Sequence, residues 1–222
     1  MEMGLAKGWV PVALDAQIAP GSSHPVVIND MGLAVWRGSS GGAQVWEDRC
    51  PHRGMRLSFG FVRDEGLVCL YHGWEFSQGG KCRKIPAHPE LDPPKTICTR
   101  TFGSLSYRGI VFASLDKAAT PDLPADSQEE WLPVRSVFVA VPMDRVATYL
   151  GAKDNVFGAV ATADGLGCHR LALADGAQIT VALQPVGAEK AAVHLTSRGA
   201  DADLRRTLAR YAVRMRRILE IS

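Results

Sequence analysis

Residues 50–54 read CPHRG and residues 69–74 read CLYHGW, and these two short stretches carry the strongest structural signal in the chain. Each pairs one cysteine with one histidine, and sixteen residues separate the two pairs, giving Cys-x-His followed by Cys-x-x-His. Each pair ends in a glycine, Gly54 or Gly73, which permits a tight turn and leaves main-chain amides free to face sulfur. A hairpin predicted at residues 57–69 would bring the two stretches face to face. Two thiolates and two imidazoles would then surround one inorganic centre.

Two kinds of centre fit two cysteines and two histidines. One is tetrahedral zinc, but zinc fingers place a pair of histidines after a pair of cysteines, usually on a helix. The other is the [2Fe–2S] cluster of the Rieske type, in which two histidines replace two cysteines on one iron. Here each pair mixes one cysteine with one histidine in a β-rich setting bordered by glycine and proline. This mixed pairing favours the cluster over zinc.

The overall composition is that of an ordinary globular protein. Of 222 residues, 46% are apolar and 22% charged, and the net charge of +2 is too small to indicate a nucleic-acid partner. No apolar run reaches the ~18 residues of a membrane span, and the first residues lack the pattern of a signal peptide. We therefore expect a cytoplasmic protein without membrane association. Five cysteines, an odd number spread along the chain, argue against a disulfide scaffold.

Short apolar runs separated by turn-forming residues predict a β-rich domain over residues 1–117, followed by a polar linker at 118–130 that contains two prolines. A smaller α+β region at 131–222 ends in a helix at 203–221. The predicted strands lie at residues 26–28, 32–36, 43–46, 57–62, 67–69, 74–76, 81–85, 96–101, 106–114, 136–141, 178–186 and 191–196. The predicted apolar face of the helix consists of Leu204, Leu208, Tyr211, Met215 and Ile218.

The two cysteine-containing stretches resemble a known family. Residues 47–53, EDRCPHR, and 71–76, YHGWEF, are similar to the Rieske domain of the Rieske non-haem iron oxygenases, especially the demethylase and phthalate-dioxygenase-like branch. The resemblance covers residues 8–117. It implies a mainly β fold class, with a Rieske-type antiparallel β-sandwich or barrel that holds a [2Fe–2S] cluster.

The same resemblance implies roles for individual residues. Cys50 and Cys69 would bind the buried iron. His52 and His72 would bind the outer iron near the surface. Two ferric ions, two sulfides and two thiolates sum to zero charge, so the oxidised cluster accepts an electron readily, in line with Rieske potentials of about −150 to +300 mV. The other residues expected at the cofactor site are Arg53, Gly54, Gly73 and Trp74.

In complete oxygenases of this family, a second domain holds a mononuclear iron through two histidines and one carboxylate. Its pattern is Asn-x-x-Asp-x-x-His with a second histidine soon after. The corresponding place begins at Asn155, but Gly158 and Ala161 stand where the aspartate and the first histidine are required. We therefore expect residues 131–222 to be a shortened catalytic-domain-like region without iron. The alternative is a site rebuilt in unfamiliar spacing from Asp164, His169, and His194 or Asp175.

The expected function is that of an electron-transfer component with no catalytic residue of its own. The chain would accept an electron from a reductase or a ferredoxin and pass it to an oxygenase catalytic subunit, within a homo- or hetero-oligomer. Two alternatives stay open. One is a self-sufficient oxygenase or demethylase with an atypical mononuclear iron site. The other is a non-catalytic structural or regulatory subunit whose cluster only stabilises the fold.

Other chemically capable residues are expected in ordinary positions. His24 and His88 fall in predicted exposed loops, and His194 alternates with apolar neighbours and is expected on the surface. Cys82 and Cys98 are expected to pack as small buried thiols. The tryptophans expected in the core or at an interface are Trp9, Trp36, Trp46 and Trp131.

Overall fold

The computed structural model describes residues 8–116, 123, 130–174 and 176–221, with the backbone alone at residues 164 and 165. The predicted linker at 118–130 therefore lies outside the described residues, apart from Leu123 and Glu130. Within the described ranges the chain forms three antiparallel sheets and two α-helices. Neither helix is long and apolar enough to cross a membrane.

The first half of the chain contains a six-stranded and a four-stranded sheet. Its strands are β1 (Trp9–Leu14), β2 (Ser23–Ile28), β3 (Met31–Arg37), β4 (Ala43–Glu47), β5 (Phe61–Arg63), β6 (Gly66–Val68), β7 (Glu75–Ser77), β8 (Cys82–Lys84), β9 (Thr101–Tyr107) and β10 (Ile110–Ser114). The six-stranded sheet has the order β1-β10-β9-β4-β3-β2, and the four-stranded sheet is the meander β5-β6-β7-β8. The predicted mainly β architecture is confirmed.

The second half contains a five-stranded sheet and both helices. Its elements are β11 (Leu132–Val139), α1 (Met143–Gly151), β12 (Thr162–Gly165), β13 (Cys168–Ala172), β14 (Gln178–Gly187), β15 (Lys190–Arg198) and α2 (Ala202–Ile221). The sheet order is β11-β15-β14-β13-β12. One face packs against the helices, where the buried residues of α2 are Leu208, Ala212, Met215 and Leu219. The predicted helical face is thus right at Leu208 and Met215, whereas Ile218 is 38% exposed.

Three predicted strands are formed differently from the prediction, and β1, β12 and β13 were not predicted. Residues 57–59 form a 3-10 turn, because the Asp48 carboxylate accepts hydrogen bonds from both the amide and the hydroxyl of Ser58, each at 2.7 Å. Residues 106–114 are not one strand. The chain reverses at Arg108 and Gly109, whose φ angles of 49° and 73° suit a two-residue hairpin turn. The predicted strand at 96–101 is also not formed. Its residues make one isolated β-bridge, between Cys98 and Lys81, before β9 begins at Thr101.

A buried aromatic layer joins the six-stranded sheet to the four-stranded sheet. Trp36 and Trp46 pack edge to face with ring centroids 4.9 Å apart, and Phe76 lies against Trp46. Cys50 and Cys69 belong to the same buried cluster. The predicted burial of the tryptophans is confirmed for all four of them. This layer places the two cysteines deep in the domain.

The two halves of the chain pack directly on each other. The β2–β3 turn donates two main-chain hydrogen bonds to β14, from Asn29 to Pro185 and from Asp30 to Val186, both at 2.9 Å. Side chains from β1, β9 and β10 pack against Cys168 and Ala182 on the face of the five-stranded sheet opposite the helices. That sheet is therefore covered on both of its faces.

Two predictions of exposure or burial are wrong. His194 is buried, not exposed, because its side chain lies on the covered face that meets the first half of the chain. Cys98 is exposed, because it lies in the irregular segment before β9 and not within a strand. Cys82 is buried as expected. His88 is exposed as expected, whereas His24 lies on β2 and is half-buried.

Candidate metal centre

Two matched loops carry the cysteine–histidine pairs. The first cysteine loop (residues 50–55) follows β4, and the second cysteine loop (residues 69–74) joins β6 to β7. In each loop the cysteine N–H donates to the carbonyl five residues later, and the glycine four residues after the cysteine donates back to the cysteine carbonyl, at 2.8–3.0 Å. Gly54 and Gly73 have φ angles of 74° and 68°, a region that glycine enters without steric strain. The two loops are thus nearly equivalent structures.

The two thiols lie side by side below the loops. Cys50 and Cys69 are each only 2% exposed. Burial raises the pKa of the Cys50 thiol to about 11, and the adjacent Cys69 thiol adds to the rise. The main-chain N–H groups of His52 and Arg53 face the Cys50 sulfur and partly offset this rise in its pKa. The thiolate form therefore needs a nearby positive charge, such as a metal ion, while the amides are already oriented to stabilise it.

The two imidazoles also lie side by side, and they are less deeply buried than the thiols. The ring centroids of His52 and His72 are 4.6 Å apart. Trp74 stacks on His52 at 4.2 Å with the rings nearly parallel, and Tyr71 covers His72 at 3.9 Å. Desolvation, with repulsion from His72 and Arg53, lowers the pKa of His52. A neutral imidazole held between aromatic rings is suited to bind a metal through a ring nitrogen.

The four side chains form two pairs, not a group around a single point. No three His, Cys, Asp or Glu side chains in the described parts of the chain are placed to hold one metal ion. A tetrahedral zinc site needs such a convergence, whereas a two-iron cluster takes two ligands on each iron. A buried thiol pair and a more exposed imidazole pair fit that second arrangement. The structure thus brings together the four predicted ligands.

The other predicted site residues also lie in the loops. Arg53 is exposed and contributes its main-chain N–H, and Trp74 orients the His52 ring. Sequence reasoning missed Tyr71 and Glu75, both adjacent to predicted site residues. Glu75 is a buried carboxylate 2.6 Å from Arg63 and 3.5 Å from Arg83, directly after the second cysteine loop. A charged residue in a short apolar strand was the signal that could have identified it.

The sheet register separates the histidines that were candidates for a second metal site. His169 pairs with Val181, and His194 pairs with Ala182, its neighbour along β14. Because successive residues of a strand point to opposite faces, the two histidines lie on opposite sides of the sheet and cannot bind one ion. The Asp164 side chain and Asp175 lie outside the described residues.

Residues 8–102 match the family model of the Rieske [2Fe–2S] domain. This part of the chain is a Rieske domain. Its cofactor is a Rieske [2Fe–2S] cluster, and the family predicted from the two cysteine loops is confirmed. The buried thiol pair, the amides facing sulfur and the nearby imidazole pair are consistent with that cofactor.

The Rieske domain is similar to domains of much longer proteins. It is 34% identical over 108 residues to oxidoreductase NdmD of Pseudomonas putida, a match that covers 48% of this chain and 18% of NdmD. It is also 34% identical over 120 residues to the 3-chlorobenzoate-3,4-dioxygenase oxygenase subunit of Comamonas testosteroni, covering 52% of this chain and 28% of that subunit. The chain thus spans less than a third of the length of these two relatives.

The fold similarity extends beyond the Rieske domain. The structure of NdmA from Pseudomonas putida CBB5 superposes with a TM-score of 0.75, covering 97% of this chain and 81% of that chain at 15% sequence identity. At this identity the likeness concerns the fold alone. The five-stranded sheet and its helices therefore share an architecture with the corresponding part of NdmA.

Proposed function

We propose that this chain carries single electrons from a reductase or a ferredoxin to a mononuclear iron held by another chain of a Rieske oxygenase system, within an oligomer. In this proposal Cys50 and Cys69 hold the inner iron of the cluster. His52 and His72 hold the outer iron. The observation that carries the proposal is the gradient of burial, since the thiols are 2% exposed while the imidazoles reach the surface. An electron would enter and leave at the imidazole edge.

The residues around the two loops prepare the site for its cofactor, which when bound supplies a one-electron redox couple. Trp36, Trp46 and Phe76 exclude water from the thiol side. The amides of His52 and Arg53 donate toward the Cys50 sulfur, which stabilises its negative charge. Stacking on Trp74 fixes the orientation of the His52 ring. Fixed ligands keep the change in structure on electron transfer small.

We further propose the division into a Rieske domain at residues 1–117, a linker at 118–130 and a shortened region without iron at 131–222. The proposal that region 131–222 binds no iron is supported by His169 and His194, which lie on opposite faces of the sheet. Both ring nitrogens of His194 are also engaged, with Ser136 at 2.8 Å and Gln184 at 2.7 Å. We propose a cytoplasmic location because none of the five cysteines, all of which are described, forms a disulfide.

Metal analysis combined with EPR spectroscopy tests this function. The purified holoprotein is expected to contain two irons and two acid-labile sulfides per chain, and to give a Rieske EPR signal after reduction. Three irons per chain would favour the self-sufficient oxygenase with an atypical mononuclear site. A cluster that no cellular reductase reduces, in a protein whose apo form still binds its partner, would favour the structural subunit.

A further inference from the structure

Three arginines surround a small recess beside His52. The recess has a volume of about 220 Å³, and its lining includes Arg49, Arg53 and Arg100 together with one carboxylate, Glu47. Within the described parts of the chain, none of the three guanidinium groups takes part in an ion pair or a hydrogen bond. Guanidinium groups bind carboxylates strongly and often through two parallel hydrogen bonds. The recess is therefore suited to a carboxylate supplied from outside.

An exposed apolar spot lies next to the other imidazole. Leu70 is 56% exposed and Tyr71 is 59% exposed, although both belong to the second cysteine loop. The Tyr71 ring lies against His72 with centroids 3.9 Å apart. Tyrosine and arginine are among the residue types enriched at the positions that dominate binding energy at protein interfaces. The imidazole pair thus has a basic recess on one side and an apolar spot on the other.

The net positive charge of the chain lies in the segment that forms the cluster site. Residues 47–100, which include the recess carboxylate Glu47, contain nine lysines and arginines, all exposed, against seven aspartates and glutamates, for a net charge of +2. The rest of the chain has a net charge of 0. Such asymmetry orients an oppositely charged protein toward the basic face before contact and raises its association rate.

We propose that the face formed by Arg49, Arg53, Arg100, Leu70 and Tyr71 docks an acidic electron-donor protein, with one of its carboxylates seated in the arginine recess. The proposal rests on the proposed electron-transfer function and assigns a partner chemistry to it. The docked donor gives one electron, becoming oxidised, and the oxidised cluster becomes reduced; no bond is formed or broken. Docking here would bring the donor against His52 and His72, which lie nearer the surface than the two thiols.

Reduction kinetics test the docking surface with a defined probe. A reduced plant-type [2Fe–2S] ferredoxin with an acidic surface is suitable because its potential lies well below the Rieske range. Stopped-flow mixing with the oxidised holoprotein at increasing NaCl should show a second-order rate constant that falls about tenfold or more, as expected for steered association. A rate constant that is independent of salt, or that rises with salt, overturns the proposal.

A double charge reversal distinguishes the effect of the arginine recess on the rate constant from the effect of the net charge of the chain. Arg49→Glu with Arg100→Glu should lower the low-salt rate constant at least tenfold and remove most of the salt dependence. The matched control is Arg214→Glu with Arg217→Glu on the exposed side of α2, which changes net charge equally and should alter the rate constant less than about twofold. Equal losses in both variants overturn the recess as the docking site.

Two further measurements distinguish failure of the docking surface from failure of the proposed electron-transfer function. At high salt, where charge effects are screened, Leu70→Gln should slow reduction several-fold because it removes apolar contact area. An unchanged rate would show that the apolar spot is not part of the docking surface. Iron, sulfide and the EPR signal after dithionite reduction are measured for every variant. A cluster that dithionite reduces and ferredoxin does not refutes the docking surface alone. A cluster that neither reduces refutes the proposed electron-transfer function.

Discussion

Within each cysteine loop, the cysteine is buried and the histidine that follows it is more exposed. Cys50 and Cys69 lie under an aromatic layer, whereas His52 and His72, two and three residues later, reach the surface. The turn geometry at Gly54 and Gly73 makes this possible, because each loop reverses within a few residues. A centre held this way is protected from water on its thiol side and accessible on its imidazole side.

A matched pair of cysteine substitutions tests the ligand assignment. Cys69→Ser should reduce iron from two atoms per chain to near zero and abolish the EPR signal, because a serine oxygen is a poor replacement for a thiolate at iron. Cys98→Ser, on an exposed thiol outside the loops, should retain both irons. Iron content and EPR of both purified variants provide the check. Retention of a full cluster in Cys69→Ser would remove Cys69 from the ligand set.

At the scale of elements, the four-stranded sheet positions the second cysteine loop, and its β7–β8 turn depends on one glycine. Gly80 has a φ angle of 77°, and a Cβ there would lie 2.6 Å from the Thr99 carbonyl oxygen. The neighbouring Gly79 has no atom within 4 Å of such a Cβ. The turn therefore requires glycine at one position and tolerates a side chain at the next.

Alanine substitutions at these two glycines test the turn. Gly80→Ala should lower the free energy of unfolding by about 1–3 kcal/mol, since it adds left-handed strain and a backbone clash. Gly79→Ala should change it by less than about 0.5 kcal/mol. Urea denaturation of both variants in the same cofactor state measures the difference. Equal effects at the two positions would contradict the turn geometry.

Glu75 connects three strands of the same sheet. Its buried carboxylate on β7 faces Arg63 on β5 and Arg83 on β8. Glu75→Gln should destabilise the protein by about 1–3 kcal/mol, a range reduced by the partial exposure of both arginines. The matched control, Glu90→Gln, changes an exposed carboxylate and should have little effect. Thermal or urea unfolding distinguishes them, and equal stability of the two variants would contradict a structural role for Glu75.

At the scale of the whole molecule, a buried polar network joins the two halves of the chain. The Gln184 amide nitrogen donates to the Val27 carbonyl at 2.7 Å, which directs its oxygen toward Nε2 of His194. Nδ1 of His194 lies 2.8 Å from the Ser136 hydroxyl. This arrangement uses a neutral imidazole, with Nε2–H as donor and Nδ1 as acceptor. Burial lowers the pKa of His194 from 6.5 to about 4.

Stability should therefore depend on pH through His194. The unfolded state binds a proton near pH 6.5 and the folded state only near pH 4. Above pH 6.5 both states hold a neutral His194, and the free energy of unfolding is at its full value. As the pH falls toward 4, the unfolded state gains a proton that the folded state does not, and the free energy of unfolding decreases by up to about 3 kcal/mol. His194→Gln should flatten the decline between these values, whereas His88→Gln, on an exposed residue, should not. Urea titrations at several pH values measure it; an unchanged slope in His194→Gln would contradict the assignment.

The amino-acid sequence by itself determined the cofactor class and the mainly β fold of the first half. The cysteine loops are local structures whose hydrogen bonds span four or five residues, so their spacing and glycines specify them without distant partners. Tertiary structure decided the burial of His194, the exposure of Cys98 and the separation of His169 from His194 across a sheet. Alternation along a strand shows which side chains share a face, but it does not show whether another sheet covers that face.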